Sequence, residues 1–481
     1  MIFDLVIKNG RVITSETDSI VDLGVVGEKI AAIGADLSCE HIIDATGMLV
    51  IPGGVDAHVH LEMPAGTTRT SDDWYSGTRA ALLGGTTTVI DFVEPEPDQT
   101  LLTALKQRQG EAKGRAWVDH TLHMTLTDAT EVTLAEIQAV VDAGVTSFKV
   151  YTTFPRFGLD DNALIKVFEA VARVGGTVLV HSENDAIIQY STERLRREDK
   201  LKPQFFPLSH PPQAEVEAIQ RVIQLAKVTG VRLYIVHIST AEGAAAVARA
   251  RAHGYQVFGE TCPQYLLLDN TRFQNDDPMA VLGFVCNPPL RTKQDQESLW
   301  AALSNDVIKT VCTDHCAFNL HGQKNQGLES FLNIPPGLPG IEARLSLMYS
   351  FGVRTGKLTL NQWVSCCSTE AAKCFGLYPC KGELSIGSDA DIVIFNPEKE
   401  VVLSTTDNEE INNLHEEVDY SPYEGFELRG WPSSVLLRGR LTNEHQSIRD
   451  QRPIGKFLRR REEDHKEVIR ERLIGQKQDL M

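Results

Sequence analysis

Short apolar segments alternate with amphipathic segments along the middle of the chain, from about residue 55 to residue 315. Eight of the apolar segments have the length and β-branched content of buried strands. They are VDAHVHLE, TTTVIDF, VDHTLHMTL, SFKVYTT, TVLVHSE, RLYIVHIS, VFGET and IKTVCTDHC. Between most of them the apolar residues follow helical spacing, as in AEVEAIQRVIQLAKVTG. This pattern predicts a (β/α)8 barrel of the TIM type, with an open doubly wound sheet as the alternative.

Both ends of the chain instead show short alternating segments separated by turns. Neither residues 1–52 nor residues 381–442 offer enough strands for a stable sheet alone. We therefore expect one small composite β-sandwich domain, formed by the N- and C-terminal segments, beside a barrel that spans residues 53–380. Helices are expected in residues 340–376. Residues 443–481 are highly charged, and the segment RRREEDHKEVIRERL predicts a solvated helix or one that crosses to another subunit.

Composition narrows the classes of partner. The chain has 481 residues, of which 42% are hydrophobic, and its net charge is −18. A charge of this sign argues against nucleic acid or an anionic membrane as the main partner. No apolar run reaches the length of about 20 residues that a membrane span needs. MIFDLVIKNGRVIT lacks the pattern of a secretion signal, and the nine cysteines are scattered, so we expect reduced thiols and a cytoplasmic location.

Two histidines suggest the first candidate chemistry. His58 and His60 stand at positions i and i+2 of a predicted strand. Side chains alternate faces along a strand, so both imidazoles point the same way and could share a metal ion. The alternative is that they are two unrelated strand histidines.

Three further polar residues stand where apolar strands end. His181, His237 and Asp314 each follow an apolar run, and Lys149 lies inside one. The carboxyl ends of barrel strands form the face where such barrels build active sites. A single histidine at a strand end is more often structural, but the whole set is hard to assign to chance.

Imidazole and carboxylate ligands suit zinc, with manganese, iron and cobalt as neighbours. The set exceeds what one tetrahedral ion needs, so two divalent ions are expected; such a site would lower the pKa of a bound water. An ammonium group on Lys149 could not lie beside two dications. Carboxylation by CO₂ would turn Lys149 into an anionic carbamate (N6-carboxylysine) with one oxygen for each metal.

These motifs resemble those of the cyclic amidohydrolases, specifically the dihydropyrimidinase/hydantoinase family. The resemblance covers nearly the whole chain and includes IPGGVDAHVHLE, GGTTTVIDF, SFKVY, VHSEND, YIVHIST, ETCPQYLLLD, NPPLR, VCTDHC, GLPGIEAR, GSDADIVIFNP and DYSPYEGF. It implies a barrel with a composite β-domain, a two-metal centre usually of zinc, a carboxylated lysine and a homotetramer.

The resemblance also implies a role for each candidate. His58, His60 and Asp314 would bind one metal, His181 and His237 the other, and carboxylated Lys149 both. Asp314 would act as general base and then general acid while a ring amide is hydrolysed. The implied substrate is a hydantoin or dihydropyrimidine, and the implied product is an N-carbamoyl amino acid. His315, His120 and His123 receive no catalytic role, and Cys312 and Cys316 are interpreted as packing residues.

Three expected substrate contacts depart from the family pattern. Phe154 replaces a common tyrosine that helps hold the oxyanion. Asn287 replaces a common serine before Pro-Pro-Leu-Arg, and Pro336 replaces an asparagine whose contact is usually through its main-chain carbonyl. Because of these departures, a second hypothesis is a related ring-opening enzyme that acts on allantoin, a cyclic imide or another lactam. A non-catalytic scaffold related to dihydropyrimidinase is a third hypothesis, although such scaffolds lack the metal ligands that this chain has.

Overall fold

The computed structural model describes residues 2–405, 412–449 and 452–460. Seven short strands precede the barrel. They are β1 (Leu5–Lys8), β2 (Arg11–Ile13), β3 (Asp18–Ile20), β4 (Asp22–Val26), β5 (Lys29–Gly34), β6 (Ile42–Asp44) and β7 (Leu49–Pro52). Four of them form one sheet in the order β5-β4-β1-β6. The others join strands from the far end of the chain.

The middle of the chain supplies eight parallel strands. They are β8 (Gly54–Val59), β11 (Thr86–Val93), β12 (Asp119–Thr125), β13 (Ser147–Tyr151), β14 (Thr177–His181), β15 (Arg232–Ile235), β16 (Val257–Thr261) and β17 (Thr310–Val311). A short hairpin of β9 (Pro64–Ala65) and β10 (Thr68–Arg69) follows β8. The eight strands pair in chain order within one sheet. Each contains or overlaps one of the eight predicted segments.

Helices connect these strands. They are α1 (Ser76–Leu83), α2 (Leu101–Ala112), α3 (Glu131–Asp142), α4 (Asp161–Arg173), α5 (Asp185–Arg197), α6 (Phe206–Ser209), α7 (Pro212–Thr229), α8 (Ala241–Ala252), α9 (Pro263–Leu267), α10 (Pro278–Leu282) and α11 (Lys293–Ser304). Within the described residues, no helix has both the length and the hydropathy required to cross a membrane.

The first and last strands meet at a seam. Val59 forms a parallel bridge with His315, and the backbone N–H of His60 donates to the carbonyl of His315 at 2.8 Å. Beside this bridge, the Thr313 hydroxyl donates to the carboxylate of Asp56 at 2.7 Å. The sheet is therefore a nearly closed barrel, which confirms the predicted fold class and rules out the open-sheet alternative.

Alternation along the strands decides which side chains reach the barrel interior. On β13, Phe148 and Val150 pack in the core between the sheet and the helices, so Lys149 and Tyr151 point inward. The interior below the site is apolar and includes Leu179. Lys149 is consequently a lysine inside a packed barrel and not one on the surface.

The remaining helices and strands follow the barrel. The helices α12 (Arg344–Met348), α13 (Leu360–Val364) and α14 (Glu370–Cys374) are extended by π-helical turns at Tyr349–Val353 and Ser365–Thr369. The strands are β18 (Ile392–Ser404), β19 (Asn412–Asn413), β20 (Glu427–Leu437), β21 (Arg440–Glu444) and β22 (Ser447–Ile448). The predicted helical content of residues 340–376 agrees with the structure.

Both ends of the chain contribute to a second sheet. Its order is β22-β21-β20-β18-β7-β2-β3, and β7 pairs antiparallel with β18. This sheet continues to Ile448, beyond the boundary predicted at residue 442. The division of the chain into domains at residues 52, 380 and 442 remains a prediction.

The end of the described chain packs against the barrel of the same molecule. Lys456 and Leu458 exchange backbone hydrogen bonds with His120, and the N–H of Arg460 donates to the carbonyl of Gly144 at 3.0 Å. These contacts lie on and just before the strands β12 and β13. The predicted charged helix falls almost entirely on residues 461–481, which lie outside the described residues.

Candidate metal centre

Five barrel strands bring the candidate ligands to one end of the barrel. His58 lies on β8 with His60 just beyond it, Lys149 lies on β13 and His181 ends β14. His237 and Asp314 follow the last residues of β15 and β17 by two and three positions, respectively. In a parallel barrel these strand ends share one face, and the structure brings all six side chains together there.

The first cluster comprises His58, His60 and Asp314. Their ligand atoms all lie within 4.8 Å of one another. The Nε2 atoms of His58 and His60 are 3.2 Å and 3.3 Å from the same oxygen, Oδ1 of Asp314. Two imidazole nitrogens and a carboxylate oxygen so arranged can hold a divalent ion.

The second cluster is a pair of histidines. Nδ1 of His181 lies 2.9 Å from Nε2 of His237. The ring centroids of His58 and His237 are 5.6 Å apart, so this pair adjoins the first cluster. A pair of imidazoles needs further ligands to hold an ion, and Lys149 is the remaining candidate.

Lys149 is 1% exposed. In the part of the chain that the structure describes, its Nζ makes neither an ion pair nor a hydrogen bond. The ammonium position lies 5.2 Å and 5.1 Å from the ring centres of Phe92 and Tyr151. Burial lowers the pKa of Lys149 to about 8, although Asp314 and Glu260 oppose the shift. An amine held this way is neutral far more often than a surface lysine, and a neutral amine is the form that reacts with CO₂.

The histidines are held in the form that binds metals. Burial lowers the pKa of His58, His181 and His237, so their imidazoles stay neutral at neutral pH. A neutral imidazole presents a lone pair to a metal ion.

Buried carboxylates orient two of these rings. Glu260 lies 2.7 Å from Nδ1 of His58, and Glu183 lies 2.9 Å from Nε2 of His181. Each contact leaves the opposite ring nitrogen directed into the centre, as carboxylates behind metal-binding histidines commonly do. Sequence reasoning missed both residues. Glu260 could have been found, because it is a charged residue in a short strand segment, VFGET, as Lys149 is in SFKVYTT.

Backbone strain is concentrated at the same end of the barrel. His237, Asp314 and Phe154 have φ angles of 39°, 51° and 76°. Such left-handed backbone costs about 1–3 kcal/mol for a residue other than glycine, and it clusters at functional sites. The turn at Asp314 lets a residue beyond the strand direct its carboxylate back to His58 and His60.

An aromatic wall flanks the histidine pair. The ring of Phe154 lies 5.0 Å from that of His181 and 5.9 Å from that of Tyr151, between ring centres. Tyr151 itself stacks on His181 at 5.6 Å. Among the described residues its hydroxyl has no hydrogen-bond partner. Phe154 therefore lies beside the candidate ligand His181, and its side chain offers no hydrogen-bond donor.

The other two expected substrate contacts lie on adjoining loops. Oδ1 of Asn287 is buried without a partner among the described residues. The carbonyl of Pro336 lies 3.9 Å from Sγ of Cys316. The two loops are joined because Val285 O accepts from the backbone N–H of Gly337 at 3.0 Å. At Gly337 a Cβ would come within 2.3 Å of the carbonyl oxygen of Cys316, so only glycine fits there.

A lysine that sequence reasoning missed supports these loops. Lys324 is fully buried, and its Nζ donates to the carbonyls of Val285 at 3.0 Å and Pro335 at 3.2 Å. Its segment, HGQKNQG, has no apolar pattern and resembles a surface loop. No sequence signal of burial was available at this position.

Two of the three histidines without a predicted role, His315 and His123, have structural partners. His315 lies 3.0 Å from Asp72 through Nε2, and its Nδ1 accepts from the backbone N–H of Gly340 at 3.2 Å. His123 lies 2.6 Å from the Ser147 hydroxyl, deep in the barrel. These contacts agree with the interpretation that neither residue takes part in the chemistry.

Comparison with known proteins gives a consistent result. The model of the amidohydrolase family matches residues 49–442. D-hydantoinase from Geobacillus stearothermophilus is 41% identical over 94% of this chain and 94% of its own length. D-hydantoinase from Rhizobium radiobacter is 38% identical over 95% of this chain and 99% of its own length. The crystal structure of dihydropyrimidinase from Brevibacillus agri NCHU1002 superimposes with a TM-score of 0.92 at 40% identity, covering 95% of this chain and 98% of that one. L-hydantoinase (dihydropyrimidinase) from Arthrobacter aurescens does so with a TM-score of 0.86 at 30% identity, covering 95% and 100%.

Proposed function

The chain belongs to the amidohydrolase family, alongside the hydantoinases and dihydropyrimidinases, and from this premise we propose that it hydrolyses a cyclic amide. The substrate is a hydantoin or dihydropyrimidine ring, and the product is an N-carbamoyl amino acid. Water adds its oxygen to the ring carbonyl carbon, the carbon–nitrogen bond breaks, and the ring nitrogen takes up a proton.

One observation carries this proposal. Six side chains suited to metal binding converge at the carboxyl end of the barrel, in a chain whose full-length relatives at about 40% identity are hydantoinases. The scaffold hypothesis requires the loss of such ligands, and His58, His60 and Asp314 lie within 4.8 Å of one another. The chain is therefore an enzyme and not a scaffold.

The residues divide the task. We assign one divalent ion to His58, His60 and Asp314, and a second to His181 and His237. When bound, such ions would polarise the scissile carbonyl and lower the pKa of water. We assign to Asp314 the transfer of a proton from the attacking water to the leaving nitrogen, as a carboxylate can do. Its place supports this role, since Oδ1 lies 3.2 Å and 3.3 Å from Nε2 of His58 and His60, at the centre of the site. Phe92, stacked on His60 at 4.6 Å, helps to keep bulk water from this end of the site.

We assign Lys149 as N6-carboxylysine, which would help to hold both ions. The amine would take up one CO₂ and lose one proton, which yields an anion with two oxygens. Its burial, its lack of any partner among the described residues and its position beside both histidine clusters support this assignment. An unmodified ammonium group there would be a buried charge without compensation.

Zinc is the proposed metal because the ligands are imidazole nitrogens and carboxylate oxygens. A homotetramer and a cytoplasmic location are proposed as well. All nine cysteines are free in the structure, which supports a reducing compartment. Metal analysis of the purified protein and its sedimentation behaviour test the first two of these proposals.

A substrate panel tests the function directly. Dihydrouracil, hydantoin, substituted hydantoins, allantoin and succinimide should be incubated with the metal-loaded enzyme, and the products identified by mass. We expect ring opening of a hydantoin or of dihydrouracil. Exclusive opening of allantoin or succinimide would favour the alternative that the enzyme acts on one of these rings. Phe154 and Asn287, which depart from the family pattern, are the reason for testing that alternative. No turnover of any of them by protein that holds metal would contradict the proposal.

Asp314→Asn tests the catalytic role. The amide keeps an oxygen for the metal but cannot accept the proton, so we expect most of the metal to remain while turnover falls by more than 100-fold. Metal content by mass spectrometry and kcat on hydantoin give the two values. A variant within tenfold of wild type would assign the base to another group.

A further inference from the structure

One acidic side chain at the mouth of the barrel has no role in the proposed mechanism. Glu94 comes directly after β11, whose last residue is Val93. Two residues earlier, Phe92 points inward and stacks on His60 at 4.6 Å. Asp91 points outward, where its carboxylate accepts from Nε of Arg108 at 2.9 Å. Strand alternation therefore gives Glu94 the same inward direction as Phe92, one step closer to the mouth.

The step along the strand fixes how far Glu94 stands from the ligands. Two residues of extended chain advance about 6–7 Å. Phe92 lies level with His58 and His60, at 5.0 Å and 4.6 Å between ring centres. Glu94 thus lies above the metal ligands, where a substituent on the substrate ring would extend toward the mouth.

The carboxylate of Glu94 has no partner among the described residues of the barrel mouth, unlike that of Asp91. Across the described ranges it makes neither a hydrogen bond nor an ion pair, although the side chain is partly buried. Burial raises its pKa, against the attraction of His60 and Arg156. Apart from burial, Glu94 is the largest cause of the raised pKa of Tyr151, so the two side chains face the same space.

Among the described residues, Arg156 and Arg108 are engaged elsewhere, and Lys149, whose ammonium form Glu94 also favours, is assigned to the metal centre. Arg156 donates to the carbonyl of Pro95 at 2.9 Å and to the carboxylate of Glu96 at 3.0 Å. Arg108 is engaged by Asp91. The wall beside Glu94 is aromatic, with Tyr151 packed on Phe157 at 5.2 Å. A carboxylate against such a wall is costly unless a bound molecule supplies the missing partner.

We propose that Glu94 is a specificity-determining residue that pairs with an N–H-bearing, preferably cationic, group on the ring substituent of the substrate. This inference rests on the proposed function, and it names the class of substrate. The favoured molecule is a hydantoin or dihydropyrimidine whose side chain ends in an ammonium or guanidinium group. The ring lies at the metal ligands, and the side chain extends along the wall to Glu94.

A rival role is that Glu94 serves the metal centre, as a further ligand or as a partner of His60, whose Nδ1 has no hydrogen-bond partner among the described residues. The two roles differ in what a substitution removes. Loss of a metal-supporting group lowers metal content and affects every substrate alike. Loss of a substituent-binding group affects only substrates that carry the cation.

The test compares hydantoins derived from lysine and from norleucine, which differ by the ammonium group. Values of kcat/KM are measured with the metal-loaded enzyme, and the N-carbamoyl products are titrated by calorimetry as a binding readout. We expect wild type to favour the lysine-derived hydantoin and its product by tenfold or more. Glu94→Gln should abolish that preference, keep the metal, and leave the norleucine-derived substrate within threefold of wild type.

Matched variants complete the experiment. Glu94→Asp should retain part of the preference, and Glu96→Gln, an exposed residue paired with Arg156, should retain all of it. A wild type that opens both hydantoins without preference overturns the inference while the proposed function stands. A Glu94→Gln variant that loses metal and slows equally on both substrates overturns it in favour of the metal role. If wild type opens neither hydantoin nor dihydrouracil, the proposed function itself fails.

Discussion

Lys149 is a cationic side chain inside a packed barrel, and its Nζ has no counterion among the described residues. That conflict is visible in the sequence, because SFKVYTTF is apolar except for the lysine. A buried charge needs either a partner or a change of chemistry. Sequence reasoning could therefore predict that Lys149 is functional, whereas its pKa of about 8 required the structure.

Lys149→Ala should lose metal and activity together, because the proposed carbamate bridge is removed. Short carboxylic acids such as acetate or propionate should restore part of both, since a free carboxylate can occupy the space of the carbamate. Lys149→Arg should fail as well, because a guanidinium remains cationic. Metal content and kcat with and without added acid provide the measurement. Full metal retention with unchanged turnover in the alanine variant would rule out the bridge.

Phe154 lacks the hydroxyl of the tyrosine that is common at this position in the family, and this loss should lower the rate of ring opening. A phenyl ring cannot donate to a developing oxyanion, and the loss of one such donor costs about 10²–10³ in rate. Since Phe154 lies 5.0 Å from the ring of His181, Phe154→Tyr should restore a donor beside the metal ligands. We expect kcat on dihydrouracil or simple hydantoin to rise tenfold or more, and kcat on the native substrate to change less.

The control for this prediction is Tyr151→Phe. Tyr151 stacks on the same histidine and its hydroxyl has no partner among the described residues, so it could supply the donor instead. If Phe154→Tyr has no effect while Tyr151→Phe abolishes hydantoin opening, Tyr151 is the donor and Phe154 only shapes the wall.

At the scale of elements, the strands could be predicted and the loops could not. All eight barrel strands follow from apolar runs with polar ends, and each candidate ligand follows from its place in or just after such a strand. The loops after the strands have no periodic pattern, so the placement of Asn287 and Pro336 on two joined loops could be expected only from the resemblance to the family. The burial of Lys324 could not be predicted either, because it depends on contacts with Val285 and Pro335 in two separate loops.

Lys324→Met tests whether this lysine positions the substrate loops. The variant keeps the volume but removes hydrogen bonds to Val285 and Pro335, so the loops that carry Asn287 and Pro336 should separate more easily. We expect KM to rise about tenfold, the effect of about 1.4 kcal/mol, with kcat within threefold and metal content unchanged. Lys200→Met, an exposed lysine paired with Glu198, is the control. An unchanged KM in Lys324→Met would assign the lysine to stability alone.

At the scale of the whole molecule, the shared sheet could be anticipated but its attachment to the barrel could not. Counting strands indicated that the two ends of the chain must combine, and β7 does pair with β18. The attachment depends on a buried charge cluster whose members are far apart in sequence. Lys381 Nζ lies 2.6 Å from Asp119 on barrel strand β12 and 2.7 Å from Asp391, just before β18. Arg438, after β20, also pairs with Asp119.

Lys381→Met should therefore weaken the whole molecule. Burial would lower the pKa of Lys381, but Asp391 and Asp119 raise it above its ordinary value, so the lysine is charged at neutral pH. Its removal leaves Asp391 buried without an ion-pair partner among the described residues and leaves Asp119 with Arg438 alone. Breaking a buried pair from one side costs about 3–5 kcal/mol. Lys29→Met is a matched control. Asp389 lies 2.9 Å from Lys381 and 2.7 Å from Lys29, but Lys29 is half-exposed. The pair of Lys29 and Asp389 is worth about 0–1 kcal/mol.

Guanidinium unfolding of the metal-loaded proteins measures both effects. We expect the midpoint of Lys381→Met to fall clearly below that of wild type and the midpoint of Lys29→Met to stay close to it. Metal content and kcat should be unchanged in both variants under native conditions, since the charge cluster lies at the amino end of the barrel, opposite the metal ligands. Equal midpoints for the two variants would mean that the cluster does not hold the barrel and the shared sheet together, and that apolar packing along β7 and β18 does.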